Sequence, residues 1–218
     1  MNGHDISYTY FFEKEFILPA VTSVDELLIM GGCMNVDEEE KFPWLIAEKK
    51  FIKETIDAKK KTIAICLGSQ LVANVLGCKV YKGKEKEIGF FPVNFSAIAQ
   101  GNSLFAHFLQ PYTLFHWHGD TFDLPEGAKV IASSAACKHQ AYLVNSNVLG
   151  LQFHLEMNET VLEEMLLHDG DELSEKGKYI QSKEEIRRGY TFLKQNRVDI
   201  FVLLDKFFNS SPSLFSTL

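Results

Sequence analysis

The chain has 218 residues and a net charge of -7, enough for one large α/β domain or two small ones. Its composition, 46% hydrophobic and 23% charged, is that of a globular protein. The acidic balance argues against a nucleic-acid surface, which needs clustered Lys and Arg, and no apolar run approaches the ~20 residues of a membrane span.

Taken in order, Met1 to Asp5 has neither the basic nor the apolar region of a secretory signal. Residues 6–12 are β-branched and aromatic and predict a strand. Leu27-Leu28-Ile29-Met30 is continuously apolar and ends in Gly31-Gly32, the pattern of a buried parallel strand running into a functional loop. The acidic stretch Asp37-Glu38-Glu39-Glu40 reads as a solvated loop. Pro43 then opens a helix carrying Trp44, Leu45, Ala47, Phe51, Ile52 and Ile56 at helical spacing. Lys59-Lys60-Lys61 reads as its solvated end. Residues 61–65 predict a buried strand and residues 70–76 a helix closed by Gly77. Strands with glycine turns follow over 79–96, then a short helix over 103–109 and a strand over 112–117, with His118-Gly119-Asp120 as the loop at its end. Residues 130–136 and 141–144 predict paired strands, and 148–154 another after the turn Asn145-Ser146-Asn147. Asn158 is placed to cap a helix whose face carries Val161, Leu162, Met165 and Leu166. A second long helix is predicted over 182–208, and a frayed tail over 209–218. The alternation places the chain in the α/β class as a single domain with a mostly parallel sheet flanked by helices.

Cys66 sits at the hinge between the strand over 61–65 and the helix that follows. A residue on such an elbow stands at the top of a sheet over a helix N-terminus, whose N–H groups can hold an oxyanion and whose dipole favours a thiolate. Gly68 suits the turn because a Cβ there would crowd strand against helix. The bland alternative is a core cysteine, the commoner fate of that residue type. Gln152-Phe153-His154-Leu155-Glu156 tips the balance. On a strand His154 and Glu156 point the same way. A histidine can move the proton of a thiol, and a neighbouring carboxylate fixes its tautomer.

These segments resemble the class I glutamine amidotransferases, the family with a Cys-His-Glu triad. Free-standing members similar to the glutaminase domain of GMP synthase match best. The likeness extends through Gly31-Gly32-Cys33-Met34-Asn35-Val36, Phe42-Pro43-Trp44-Leu45, His116-Trp117-His118-Gly119-Asp120-Thr121-Phe122 and His168-Asp169-Gly170-Asp171-Glu172-Leu173. It implies a flavodoxin-like architecture and an enzyme that hydrolyses the side-chain amide of glutamine through a cysteinyl thioester. Cys66 would be the nucleophile, His154 the proton shuttle and Glu156 its support. The N–H groups of Gly32 and Leu67 would form the oxyanion hole, and Gln70, Trp117 and His118 would lie near the far end of the substrate. No cofactor or metal is implied. Ammonia would pass to a synthase on another chain, because no acceptor domain or phosphate-binding loop is encoded. The same triad would serve a γ-glutamyl peptidase acting on glutathione-like compounds, and a non-catalytic binding subunit is the third reading.

Two departures from the family stand out. Ala64 replaces a usual glycine two before the nucleophile. Relatives also begin with a further strand and helix, about 25 residues, ahead of the segment matching Gly3 to Ser7. The expectation is a start further upstream, or a form lacking a core strand whose bared edge would invite another chain, a second copy included. The histidines at 116, 118, 139 and 154 show no metal-ligand spacing. Cys33, Cys66, Cys78 and Cys137 lack C-x-x-C spacing and fit a reduced, cytoplasmic protein.

Overall fold

The structure is a computed structural model that describes residues 3–108 and 111–210. Its centre is the predicted buried strand, Lys61–Ile65 (β2). Glu26–Ile29 (β1) pairs with it in parallel on one side and Val148–Leu151 (β7) in parallel on the other. Beyond β7 come Ala141–Val144 (β6), Lys129–Ser133 (β5), Val80–Phe95 (β3) and Tyr112–Phe122 (β4), giving a seven-stranded sheet in the order β1-β2-β7-β6-β5-β3-β4. All pairings past β7 are antiparallel. The sheet is therefore mixed, and the mostly parallel sheet expected from sequence holds only around the elbow. The reason lies in the connections. Trp44–Asp57 (α1) supplies the crossover a parallel pair needs, whereas β6 and β7 are joined by a tight turn with Asn145 and Ser146 at φ 48° and 67°, which permits only a hairpin.

Alternation along β2 divides the core. Ile63 and Ile65 face a cluster with Leu149, Leu151, Ile200, Leu203 and Phe207, the last three from Leu193–Asn209 (α6). Ala64 faces Leu45, Ile52, Leu71 and Tyr142, under α1 and Leu67–Val75 (α2). The Ala64 methyl group is fully buried there, and the elbow forms without the family's usual glycine. A third cluster joins β3 and β4 to Glu159–His168 (α4) and Lys183–Arg188 (α5) through Ile88, Phe90, Phe115, Leu162 and Ile186. Asn158 caps α4 by accepting from the Val161 N–H, as predicted.

Several local expectations change. Residues 6–12 form no strand; they run as coil and turn with Tyr8 and Phe12 exposed, because no neighbouring strand offers them a ladder. The helix predicted over 103–109 is a series of turns through residue 108, and residue 109 lies outside the described residues. His118-Gly119-Asp120 is not a loop but part of β4, which continues to Phe122 against β3. The long final helix is broken: a 3-10 turn over Gly189–Phe192 separates α5 from α6, with Gly189 pressed against the Phe90 ring. Lys61 belongs to β2 rather than to a solvated helix end. Of the tail expected to fray, Asn209 closes α6 and residues 211–218 lie outside the described residues. Among the described residues no helix is long and apolar enough to cross a membrane.

Gly68 is where strand and helix come closest. A Cβ there would lie 2.8 Å from the Ile29 carbonyl oxygen and 2.9 Å from its Cγ2. That backbone cannot yield without parting β1 from α2. Gly68→Ala is expected to destabilise the protein by about 1–3 kcal/mol in denaturant unfolding. Gly101→Ala, at φ -76° with nothing nearer than 3.6 Å, should be close to neutral.

Candidate active site

β2 delivers Cys66 to the N-cap of α2 at φ 51° and ψ -112°, a backbone conformation rare for a residue with a side chain. Its neighbours dictate it. The Cys66 N–H donates to the Leu151 carbonyl at 2.7 Å, extending the β2–β7 ladder by one bond. Its carbonyl turns back to accept from the Ser69 and Gln70 N–H groups at 2.9 and 3.2 Å and from Ser69 Oγ at 2.7 Å. Tyr142 Oη then fixes Ser69 by donating to its carbonyl at 2.6 Å.

His154 arrives from the other side. After β7 the chain leaves the ladder and forms an isolated bridge to β4, the His154 N–H donating to the Phe115 carbonyl at 2.8 Å. The His154–Glu156 pair thus stands just past a strand end rather than on a continuous strand. The two side chains still meet, His154 Nδ1 to Glu156 Oε1 at 2.6 Å, while Glu156 Oε2 accepts from the Leu155 N–H at 2.9 Å. Since a carboxylate only accepts, Nδ1 carries the hydrogen and Nε2 is the working nitrogen. The Cys66 sulfur acts on the same imidazole and favours its charged form. Gly31 borders both groups: a Cβ there would be 3.2 Å from Cys66 Cβ and 3.5 Å from His154 Cε1.

Burial by itself would drive the His154 imidazole towards its neutral form. The Glu156 charge and the Cys66 sulfur outweigh it and push its pKa up to about 10. Burial likewise opposes ionisation of Glu156, but the imidazole beside it and the backbone N–H groups hold the carboxyl below its usual range. The pair is therefore imidazolium and carboxylate across the neutral range.

The remaining expected residues fall into two groups. Leu67 is the first residue of α2, so its N–H has no acceptor within the helix. Gly32 packs so closely against the Leu67 side chain that a Cβ would come within 3.2 Å of it. Leu67 directly follows Cys66, and Gly32 directly follows Gly31, the glycine that borders the Cys66 Cβ. Gln70, by contrast, is buried and donates to Gln152 Oε1 at 3.0 Å. The Trp117 carbonyl lies 3.8 Å from Cys66 Sγ, and its indole donates to Glu172 Oε1 at 3.1 Å. Glu172 is held in turn by Lys86 at 2.8 Å. The His118 Nδ1 meets the Asp120 carbonyl at 3.1 Å, and its Nε2 lies 3.2 Å from Glu87 Oε2. Sequence reading missed Glu87 entirely. Its only signal is a carboxylate within a strand, opposite the segment containing His116 and His118, and that pairing register is not written in local sequence.

Residues 6–171 match the family model for glutamine amidotransferase class-I. The chain is 34% identical over 190 residues to the glutamine amidotransferase-like protein YfeJ of Salmonella typhimurium, covering 85% of this chain and 80% of that one. It is 32% identical over 152 residues to a glutamine-hydrolysing GMP synthase subunit from Saccharolobus solfataricus, covering 66% of this chain and 77% of that one. A crystal structure of a glutamine amidotransferase from Thermotoga maritima superposes with a TM-score of 0.78 at 31% identity, covering 89% of this chain and 82% of that one. The chain belongs to the class I glutamine amidotransferase family.

Proposed function

We propose that this protein hydrolyses the side-chain amide of glutamine to glutamate and ammonia, with Cys66 as nucleophile. The observation that carries the reading is the strained Cys66 at the start of α2 beside a His154 imidazole locked to Glu156. The sulfur attacks the amide carbon, and the oxyanion that forms is held by the N–H groups of Leu67 and Gly32. Each such donor contributes about 3 kcal/mol in the transition state. His154 gives its proton to the departing ammonia, leaving a γ-glutamyl thioester. It then takes a proton from water, whose oxygen attacks the thioester; the thiolate leaves, the imidazolium is restored, and the new carboxyl group of glutamate gives its proton to solvent. Glu156 keeps the imidazole in the required tautomer throughout. The Trp117 carbonyl and its Glu172-held indole form the wall beside the sulfur. His118 does not contact substrate in this reading, because its ring is buried with Nδ1 on the Asp120 carbonyl and Nε2 turned towards Glu87. Ammonia passes to a separate synthase, in keeping with the likeness to one component of a GMP synthase, and the setting is cytoplasmic.

A glutamine-analogue alkylator should add its mass at Cys66 and not at Cys33, Cys78 or Cys137. Cys66→Ser should reduce ammonia release by ~10^4-fold or more. Unchanged turnover in that variant would remove the mechanism. Assaying glutamine against γ-glutamyl peptides on the same protein separates amidotransferase from peptidase, and a folded protein inert towards both is a binding subunit.

The pH profile gives a second check. A protonated His154 is needed to expel ammonia, so activity should fall as pH rises through its pKa, near 10. Glu156→Gln removes the largest influence raising that pKa, so the alkaline limb should move down towards the ordinary histidine value of about 6.5. The same variant should lose ~10^2–10^4-fold in kcat. Imidazole NMR titration of both proteins reads the shift directly.

A further inference from the structure

Behind the Trp117 wall lies a second cluster that the hydrolytic chemistry does not use. His116 and His118 are two apart on β4 and so share a face. The antiparallel register pairs Glu87 with His118 and Gly89 with His116, which puts the Glu87 carboxylate on that face as well. One ligand atom from each of the three lies within 4.8 Å of the others. All three side chains are buried, His116 completely.

The hydrogen bonding around the cluster is incomplete in an informative way. Asp120 presents a carbonyl to His118 Nδ1, and a carbonyl can only accept, so Nδ1 carries the hydrogen. That leaves Nε2 facing Glu87 Oε2 at 3.2 Å without the geometry of a hydrogen bond. Neither ring nitrogen of His116 makes one either, although the Phe91 carbonyl lies nearby. Buried polar atoms normally find partners. Here one ring nitrogen from each histidine and a carboxylate oxygen of Glu87 converge on one another instead.

The separation suits a metal. Two ligands of a tetrahedral zinc ion with bonds of about 2.0–2.1 Å stand ~3.3 Å apart, which matches His118 and Glu87. His116 completes the set, its ligand atom within 4.8 Å of the other two. The outer partners are those that metal ligands commonly have. Asp120 orients His118, and Glu87 accepts from Ser134 Oγ at 2.8 Å and from Gln140 Nε2 at 2.6 Å. Two imidazoles and one carboxylate favour zinc and its neighbours over calcium or magnesium, which prefer all-oxygen sites.

We propose that Glu87, His116 and His118 bind one divalent ion of the zinc class, tying β3 to β4 behind the wall that faces Cys66. The site is structural and independent of the amide-hydrolysing reading. A bound ion would fix the strand that carries the Trp117 carbonyl, and His116 lies against Phe153, the residue before His154.

The test uses the full chain, stripped with a chelator and titrated with cobalt(II). One equivalent should give the visible absorption of a low-coordinate cobalt site with no thiolate charge-transfer band. Zinc equilibrated and passed through gel filtration should remain at one ion per chain, and should raise the thermal midpoint. His116→Phe and Glu87→Gln should lose the ion and the thermal shift, whereas Cys33→Ser and Cys66→Ser should keep both. Metal content well short of one per chain, or equal retention by His116→Phe, overturns the proposal. Should both ligand variants fail to fold, the wild-type cobalt spectrum decides alone: absence of the visible bands overturns the site, and their presence supports it.

Discussion

The architecture is built to hold one residue in a conformation it would not choose. Cys66 at φ 51° costs on the order of 1–3 kcal/mol of backbone strain. Structure on every side offsets it. The ladder to β7 fixes its N–H, the first turn of α2 fixes its carbonyl, and the close approach of Gly68 to Ile29 lets the helix sit directly on the sheet. The parallel three-strand core serves that junction. The antiparallel strands beyond it serve to bring His154 and Trp117 to the same place.

Electrostatics and burial work against each other at the site, and the outcome depends on short contacts. His154 and Glu156 would each be neutral if buried alone. Together, at 2.6 Å, they stay charged. The same reasoning explains why His116, buried a short distance away without a carboxylate in hydrogen-bond contact, stays neutral. Two histidines close in space thus take opposite states, set by which partners touch them.

Much of this was legible in the sequence for local reasons. The apolar run ending in Cys66 and the apolar helix after it are contiguous, so strand, elbow and helix could be read from one segment. His154 and Glu156 were readable as a pair because they are two residues apart, although the chain there is a strand end with a single bridge. What sequence could not supply was pairing. Residues 6–12 have strand-forming side chains but no neighbour, so propensity without a ladder came to nothing. His118-Gly119-Asp120 looked like a loop, yet β3 pairs along that stretch to Val80, across a register shift between Lys82 and Glu87. Glu87 showed only as a carboxylate within a strand, since its meaning depends on which residues stand opposite. The parallel sheet was over-extended for the same reason: the turn at Asn145 and Ser146 sets strand direction, and its consequence is global.

Lys61 shows how far the support of the elbow reaches. All three hydrogens of its ammonium are spent on carbonyls at the end of α6: Phe207 at 2.9 Å, Phe208 at 2.7 Å and Ser210 at 2.6 Å. The first residue of β2 is therefore riveted to the last helix, while the residue after its final one is the candidate nucleophile. Clipping α6 would not shed an appendage. It would strip the lid from Ile63 and Ile65, release a half-buried cation, and slacken from below the very strand that aims the sulfur.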